Sequence, residues 1–307
     1  MEVKSKRDRL FSVLCGCLVL MACCFRTAAV LKEDRTLPID EEIRTFIYAT
    51  TEPTEEPAET YIGETIKTDP SLIRIDNRSG QEISVEELLD MPLSLTVTEE
   101  PCVLILHTHG TEAYRDQEGY RSTDPEHNVI RIGKAIADRL NEAGIPTVHD
   151  TTAHDLTDGY DAAYEEAAVA IAAYLDKYPT IQVVIDVHRD AASDGQGGQK
   201  AISAQIEGKS AAGLLLVMGT HTSELPHENW RENLAFAMRL QAYLEEETVG
   251  LMRPTSLRAA RYNEHFTPCS VLLEVGAAGN TMEEALRSGE YFADALARLL
   301  WNLAKEP

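Results

Sequence analysis

Positive charge is scarce in this sequence. Its 28 lysine and arginine residues stand against 51 aspartate and glutamate residues, which gives a formal net charge of −23 at pH 7. Binding to the phosphate backbone of nucleic acid requires a basic surface, so we expect no nucleic-acid partner. Aromatic residues make up only 6%, and 18 glycines and 13 prolines in 307 residues exclude a collagen-like or low-complexity chain. The 44% hydrophobic content is sufficient for one sizeable core.

Cysteine is almost absent from most of the chain. Four of the six cysteines lie between residues 15 and 24, and only Cys102 and Cys269 follow. This usage excludes a disulfide framework, and no pair has the CxxC spacing of a thiolate metal site. Both later cysteines begin predicted strands. We therefore expect two buried free thiols, with a single bridge between them as the alternative.

The N-terminus has the pattern of a targeting or anchoring segment. Residues 4–9 are rich in lysine and arginine, and residues 10–25 form an apolar run shorter than the roughly 20 residues of a spanning helix. The positive flank predicts a single-pass anchor in the cell membrane, with residues 1–9 in the cytoplasm and the rest outside. A secretory signal and a lipoprotein anchor at Cys23 are the alternatives.

Composition divides the chain into four predicted segments. Residues 1–31 are the cytoplasmic tip and the membrane anchor or signal. Residues 32–70 are a linker rich in Thr, Glu and Pro, too poor in apolar side chains to become ordered. Residues 71–99 form a lead-in segment, and residues 100–307 form the main α/β domain.

The main domain alternates apolar strands with amphipathic helices. Strands are predicted at residues 102–107, 145–149, 181–187 and 270–275, a hairpin at 199–206 and 211–218, and helices at 127–143, 160–178, 226–247 and 282–303. This order predicts a mixed, largely parallel sheet with helices on both faces.

Polar side chains follow three of the predicted strands. His107, His109 and Glu112 come after the first strand. A second set, at the end of the third strand and in and after the last strand, comprises Asp186, His188, Arg189, Asp190, Glu274 and Asn280. In an open α/β sheet such ends share one edge, and imidazole with carboxylate is the ligand set of catalytic zinc, beside which a glutamate serves as general base. The alternative for each histidine is an ordinary hydrogen-bonded strand end, and for Asp186 and Asp190 the orientation of a neighbouring side chain.

Several of these motifs, in their order along the chain, resemble the stage II sporulation protein P family. They include VLILHTHGTEAY at residues 103–114, YPTIQVVIDVHRD at 178–190, and LEVG at 273–276 followed by NTMEE at 280–284. Shorter matches are YRSTD at 120–124, NVIRIG at 128–133 and HDTTAHD at 149–155. The resemblance covers about residues 100–305, and Gly110 departs from the expected Thr or Ser.

The resemblance implies a peptidoglycan hydrolase with a fold similar to the amidase-3 type of zinc amidase. Such an enzyme is an N-acetylmuramoyl-L-alanine amidase, and also an endopeptidase, that acts on stem peptides during engulfment in sporulation. The family also implies stage II sporulation proteins D and M as partners. A non-catalytic peptidoglycan-binding membrane tether is the alternative function.

The resemblance also assigns roles to individual residues. His109 and His188 match zinc ligands, and Glu274 matches the catalytic glutamate. The middle ligand is either His127 or Asp124, and we prefer His127 because imidazole is the better zinc ligand.

Three further residues have predicted roles at the same site. Glu112 is a second catalytic base or a partner of a ligand. Arg189 is a clamp for a stem-peptide carboxylate, with an ion pair to Asp186 or Asp190 as the alternative. Asn280 is expected to contact substrate.

Overall fold

The computed structural model describes residues 68–156 and 162–304. The predicted anchor and nearly all of the predicted linker lie outside these residues. Within these two ranges, no helix has both the length and the apolar character required to cross a membrane.

Short strands and longer helices alternate along the described chain. The strands are β1 (Ile75–Asn77), β2 (Val103–Leu106), β3 (Thr147–His149), β4 (Val183–Asp190), β5 (Ser203–Ile206), β6 (Lys209–Ala212), β7 (Leu214–Gly219), β8 (Thr255–Arg258) and β9 (Cys269–Ala277). The helices are α1 (Val85–Leu89), α2 (Val129–Glu142), α3 (Ala163–Lys177), α4 (Trp230–Glu247) and α5 (Met282–Leu303). The four long helices fall where the periodicity of the sequence predicts them.

Seven strands form the central sheet in the order β1-β8-β7-β9-β4-β2-β3. All neighbours are parallel except β7 and β9, which are antiparallel. The predicted mixed, largely parallel sheet is therefore confirmed. Because β2, β4 and β9 run in the same direction, their carboxyl ends meet at one edge.

Helices cover both faces of the sheet, as predicted. Along β2, Val103 and Ile105 belong to the core beneath α2, α4 and α5, whereas Leu104 and Leu106 belong to a second core beneath α3. A strand that is buried on both faces has an uninterrupted apolar sequence, which explains the VLIL of β2. Cys102 and Cys269 are buried and unbridged, as expected.

The predicted hairpin is correct in place and wrong in extent. β5 and β6 pair across a turn at Glu207 and Gly208, both with positive φ, as a two-residue hairpin loop requires. The second predicted strand is divided at Gly213, beyond which the chain enters the central sheet as β7. A Cβ at Gly213 would lie 2.9 Å from the Ile202 side chain, so only glycine fits at this crossing point.

Candidate metal centre

Three buried side chains from two elements meet at the carboxyl edge of the sheet. His109 and Glu112 lie on the turn after β2, and His188 lies near the end of β4. One ligand atom of each lies within 4.8 Å of the other two. Their exposed fractions are only 4%, 4% and 3%. Two imidazoles and one carboxylate at this spacing fit a zinc ion, which leaves a fourth position for water.

Asp186 holds the turn that carries His109. The Thr108 backbone N–H donates to Asp186 Oδ1 at 2.9 Å, and the Thr108 hydroxyl donates to Oδ2 at 2.6 Å. Burial alone would raise the pKa of Asp186, but His188 and the Thr108 hydrogen bonds outweigh it and lower that pKa to about 2. Asp186 is therefore a carboxylate at physiological pH and ties the turn to β4.

His188 lies between two carboxylates. Its Nε2 is 3.0 Å from Asp186 Oδ1, and its Nδ1 is 3.4 Å from Glu112 Oε2. Burial opposes a charged imidazole, but Asp186 and Glu112 together raise the pKa of His188 well above its usual value. A carboxylate on one ring nitrogen orients the ring and increases its basicity, as is common for metal-bound histidines.

Glu112 is fixed by the backbone and side chain of Arg189. The Arg189 N–H donates to Glu112 Oε2 at 3.1 Å, and Arg189 Nη1 lies 3.4 Å from Oε1. Burial raises the pKa of Glu112, but His188 and Arg189 reverse this and bring it below its usual value. Glu112 is thus ionised, in the form that binds metal.

Glu274 faces this cluster from β9. It is the register partner of His188 in the β4–β9 pair, and its Oε2 is buried without a hydrogen-bond partner among the described residues. Burial is the main reason why the pKa of Glu274 rises to about 8, with Glu112 and Asp190 adding to the rise and His188 opposing it. A carboxyl group with a pKa near neutrality is suited to both accept and donate a proton.

The structure does not bring His127 to the cluster. His127 ends the short 3-10 helix Pro125–His127, its side chain is 51% exposed, and its Nε2 lies 3.8 Å from Asp124 Oδ2. Asp124 is also exposed and caps that helix through the Glu126 N–H. Glu112 occupies the place that sequence reasoning gave to these two residues. The available signal was its spacing of three from His109, which the turn closes with a Glu112 N–H to His109 O bond of 3.0 Å.

Arg189 is directed into the protein. The β4–β9 register shifts between His188 and Asp190, and such a bulge redirects the side chain it carries. Arg189 Nε donates to Ala113 O at 3.0 Å and Nη2 to Tyr120 O at 3.1 Å, and the residue is only 7% exposed. The predicted alternative for Arg189 was an ion pair with Asp186 or Asp190. In the structure Arg189 pairs with Glu112.

Asn280 is likewise a structural residue and is completely buried. Its Oδ1 accepts hydrogen bonds from the backbone N–H groups of Ile202 and Ala277, and its Nδ2 donates to Ser203 and Glu284. Each polar atom of the side chain is therefore used in joining the end of β9 to the segment before β5. The expected contact with substrate has no accessible group to make it.

His107 faces away from His109. Its Nε2 lies 2.8 Å from His149 Nε2, and its Nδ1 lies 3.0 Å from Val187 O. His109 instead packs edge-on against Tyr164 of α3, with the ring centroids 5.5 Å apart. Residues two apart in a strand face the same way, but β2 ends at Leu106, so this alternation does not extend to His107 and His109.

A polar cavity opens beside the Glu112 turn. Its volume is about 560 Å³, and its lining residues are Thr111, Arg121, Ser122, Thr123, Asp155 and Leu156. Asp155 accepts hydrogen bonds from the Thr111 N–H and hydroxyl and from Arg121. The Thr111 hydroxyl and the Arg121 guanidinium beside the cavity are therefore paired with Asp155.

The fold and the cluster define an α/β protein with a histidine–carboxylate centre at the carboxyl edge of its sheet. The family described as Stage II sporulation protein P (SpoIIP) matches residues 33–297, and the chain belongs to this family. The stage II sporulation protein P of Bacillus subtilis (strain 168) is 28% identical in an alignment of 231 residues, and this alignment covers 70% of the chain. The aligned region spans only 55% of that relative.

Solved structures of amidases resemble the chain more distantly. The N-acetylmuramoyl-L-alanine amidase AmiC2 of Nostoc punctiforme is 13% identical and covers 66% of this chain and 97% of its own, with a TM-score of 0.40. The CwlD amidase from Clostridioides difficile, solved in complex with the GerS lipoprotein, is 14% identical and covers 66% of this chain and 94% of its own, with a TM-score of 0.38.

Proposed function

We propose that this protein is a zinc-dependent peptidoglycan hydrolase, an N-acetylmuramoyl-L-alanine amidase that also acts as an endopeptidase, in engulfment during sporulation. The observation that carries the proposal is the convergence of His109, Glu112 and His188 beside Glu274. Membership of the stage II sporulation protein P family supports the sporulation context.

His109, Glu112 and His188 would hold the metal. Their donor set is that of catalytic zinc sites with a fourth position available to water. Bound zinc supplies a Lewis acid and lowers the pKa of a bound water toward neutrality. Here Glu112 replaces His127 in the ligand set that we predicted from sequence. Asp186 keeps His188 in the orientation required.

Glu274 would act first as the general base and then as the general acid. Its Oε2 is available, because no described residue hydrogen-bonds to it. In the ionised form Glu274 accepts a proton from the attacking water, and it then returns that proton to the amine nitrogen released from the lactyl amide. Because burial raises the pKa of Glu274 to about 8, the carboxyl group can hold the proton taken from water until the amine leaves.

The test is mass spectrometry of muropeptides after digestion of purified sacculi with the protein, with and without a chelator. We expect release of free stem peptides, its loss on chelation and its return with added zinc. Glu274→Gln should retain bound zinc and lose amide cleavage, whereas the matched control Glu283→Gln, at an exposed position of α5, should keep both.

Release of no stem peptide or cross-link fragment by a zinc-loaded protein that still binds sacculi would contradict the proposal. That result would favour the non-catalytic tether. Cleavage that persists in Glu274→Gln would instead remove Glu274 from its proposed role.

We further propose that the N-terminal segment anchors the protein in the cell membrane with the α/β domain outside the cytoplasm, and that stage II sporulation proteins D and M are partners. The basic residues 4–9 and the family resemblance support these two proposals. Protease added to intact protoplasts should degrade the α/β domain. Protection of that domain until the membrane is broken would reverse the topology.

A further inference from the structure

A row of aromatic rings leads away from the candidate metal centre. The ring centroids of His188 and His109 are 5.2 Å apart, those of His109 and Tyr164 are 5.5 Å apart, and those of Tyr164 and Tyr262 are 6.2 Å apart. Tyr164 is in the first turn of α3, and Tyr262 is in the segment between β8 and β9. Both tyrosines are partly exposed. The row therefore extends the centre toward solvent along one side.

Tyr262 is held in a backbone conformation that tyrosine rarely adopts. Its φ is +48°, and the next residue, Asn263, has a φ of +59°. Left-handed non-glycine residues persist where the surroundings impose them, and they are concentrated at functional sites.

The contacts that hold this conformation are made by the two residues that follow Tyr262. Asn263 Nδ2 donates to Tyr164 O at 2.7 Å. The buried Glu264 side chain accepts hydrogen bonds from the Gly219 N–H at 2.6 Å and the Leu272 N–H at 3.3 Å. The segment is therefore tied to α3, β7 and β9, and these ties fix the position of the Tyr262 ring opposite Tyr164.

The cavity near Glu112 and the tyrosine rings near His109 differ in chemistry. The cavity is lined by Thr111, Arg121 and Asp155, whose hydroxyl, guanidinium and carboxylate groups suit the amide groups of a peptide. Beyond His109 lie two tyrosine rings. A pyranose presents a face of C–H groups that packs on the electron-rich face of an aromatic ring, and tyrosine adds a hydroxyl for the polar rim of the sugar.

We infer that Tyr164 and Tyr262 form a sugar subsite that holds the N-acetylmuramoyl ring next to the scissile lactyl amide. The inference rests on the proposed function and adds to it the polarity of substrate binding, with the glycan on the tyrosine side and the peptide on the Glu112 side. The tyrosines bind substrate and take no part in proton transfer.

The test compares two substrates that share the lactyl–L-alanine amide, a muramoyl peptide and a lactoyl peptide without the sugar. In Tyr262→Ala we expect KM for the muramoyl peptide to rise about tenfold with kcat changed by less than about threefold. Both constants for the lactoyl peptide should remain those of the wild type. Tyr262→Phe retains the ring and should keep most of the affinity, and Val169→Ala, at an exposed position of α3, is the control for folding.

A second readout does not depend on turnover. Calorimetry should show that zinc-loaded Glu274→Gln binds the muramoyl peptide more tightly than the lactoyl peptide, and that adding Tyr262→Ala removes the difference. An equal loss for both substrates, or no loss for either, would overturn the subsite. If the wild type cleaves neither substrate but this difference in binding is found, the proposed activity fails while the subsite stands.

Discussion

His188 and Glu274 are register partners on adjacent parallel strands, so the candidate metal ligand and the candidate proton carrier project from the same face of the sheet one strand apart. The spacing of the strands, about 4.8 Å, fixes their separation without any loop. A site built on paired strands is held more rigidly than one built on loops. This relationship explains how one apolar strand, β9, delivers a single carboxyl group to the centre.

The first prediction concerns the third ligand. Glu112→Gln should bind zinc at least about a hundredfold more weakly than the wild type. Replacing a residue that only hydrogen-bonds to a metal ligand typically lowers metal affinity about tenfold to hundredfold, and removing a direct ligand costs more. His127→Ala should bind zinc normally, since its side chain is 51% exposed and apart from the cluster. Competition with a chromophoric chelator measures both affinities. Normal zinc binding by Glu112→Gln together with loss in His127→Ala would restore the ligand set predicted from sequence.

The second prediction separates stability from substrate binding at Arg189. Replacing Arg189 by Met removes one partner of a buried ion pair, leaves Glu112 with His188 alone, and removes the donor to the Ala113 and Tyr120 carbonyls. Together these losses should cost about 3–5 kcal/mol of unfolding free energy. The control Arg131→Met breaks an exposed ion pair with Glu126 and should cost at most about 1 kcal/mol. Urea unfolding of metal-free protein measures both. An unchanged unfolding free energy with a raised KM would identify Arg189 as the substrate clamp.

The third prediction concerns a glycine that makes room for His107. A Cβ at Gly133 of α2 would lie 2.4 Å from His107 Nε2 and 2.9 Å from His149 Nε2. Gly133→Ala should therefore destabilise the protein by about 1–3 kcal/mol through overpacking, despite the better helix propensity of alanine.

The neighbouring variant Lys134→Ala is the control for Gly133→Ala. Lys134 is on the same helix and makes an exposed ion pair with Asp138, so its loss should change the unfolding free energy by less than about 1 kcal/mol. A Gly133→Ala protein as stable as the wild type, measured by thermal unfolding, would show that the two histidines can move apart at little cost.

The sequence was sufficient to predict the four long helices, most strands of the sheet, and the presence of all three clustered side chains at the site, although Glu112 was not predicted as a ligand. The apolar runs of β2, β4 and β9 and the helical periodicity of α2 and α5 are local properties, and they predict local structure. His109 and His188 were found because each follows or ends such a run. These parts of the site depend on strand order, which the alternation of elements already indicates.

The remaining assignments depend on contacts between distant segments. Glu112 joins the cluster because the turn from His109 closes back on itself, and Arg189 points inward because of a bulge in the β4–β9 ladder. The Asn280 side chain accepts a hydrogen bond from the segment before β5, about 80 residues earlier in the chain. No periodicity in the sequence encodes a bulge or a long-range hydrogen bond, so residue type alone suggested ligand and substrate roles for side chains that have structural ones.

The last prediction is a pH dependence at a buried histidine outside the metal cluster. His227 has a side chain with 0% exposure, its ring nitrogens have no hydrogen-bond partner among the described residues, and its Nε2 lies 3.7 Å from Glu264 Oε2. Burial, helped by His265 and Arg261, lowers the pKa of His227 to about 4.

The sign of the effect follows from the lowered pKa of His227. Below the usual histidine value of about 6.5 the unfolded chain takes up a proton that the folded protein excludes, so stability is lost as the pH falls from there to about 4. The contribution of this histidine to that loss is about 3 kcal/mol. At pH 8 His227 is neutral in both the folded and the unfolded wild type, so the unfolding free energy of His227→Leu should match or exceed that of the wild type. Between pH 6.5 and 4 the variant should lose less stability. Chemical denaturation of metal-free protein at stepped pH measures the two slopes, and parallel slopes would show that His227 is protonated, or exposed to water, in the folded state.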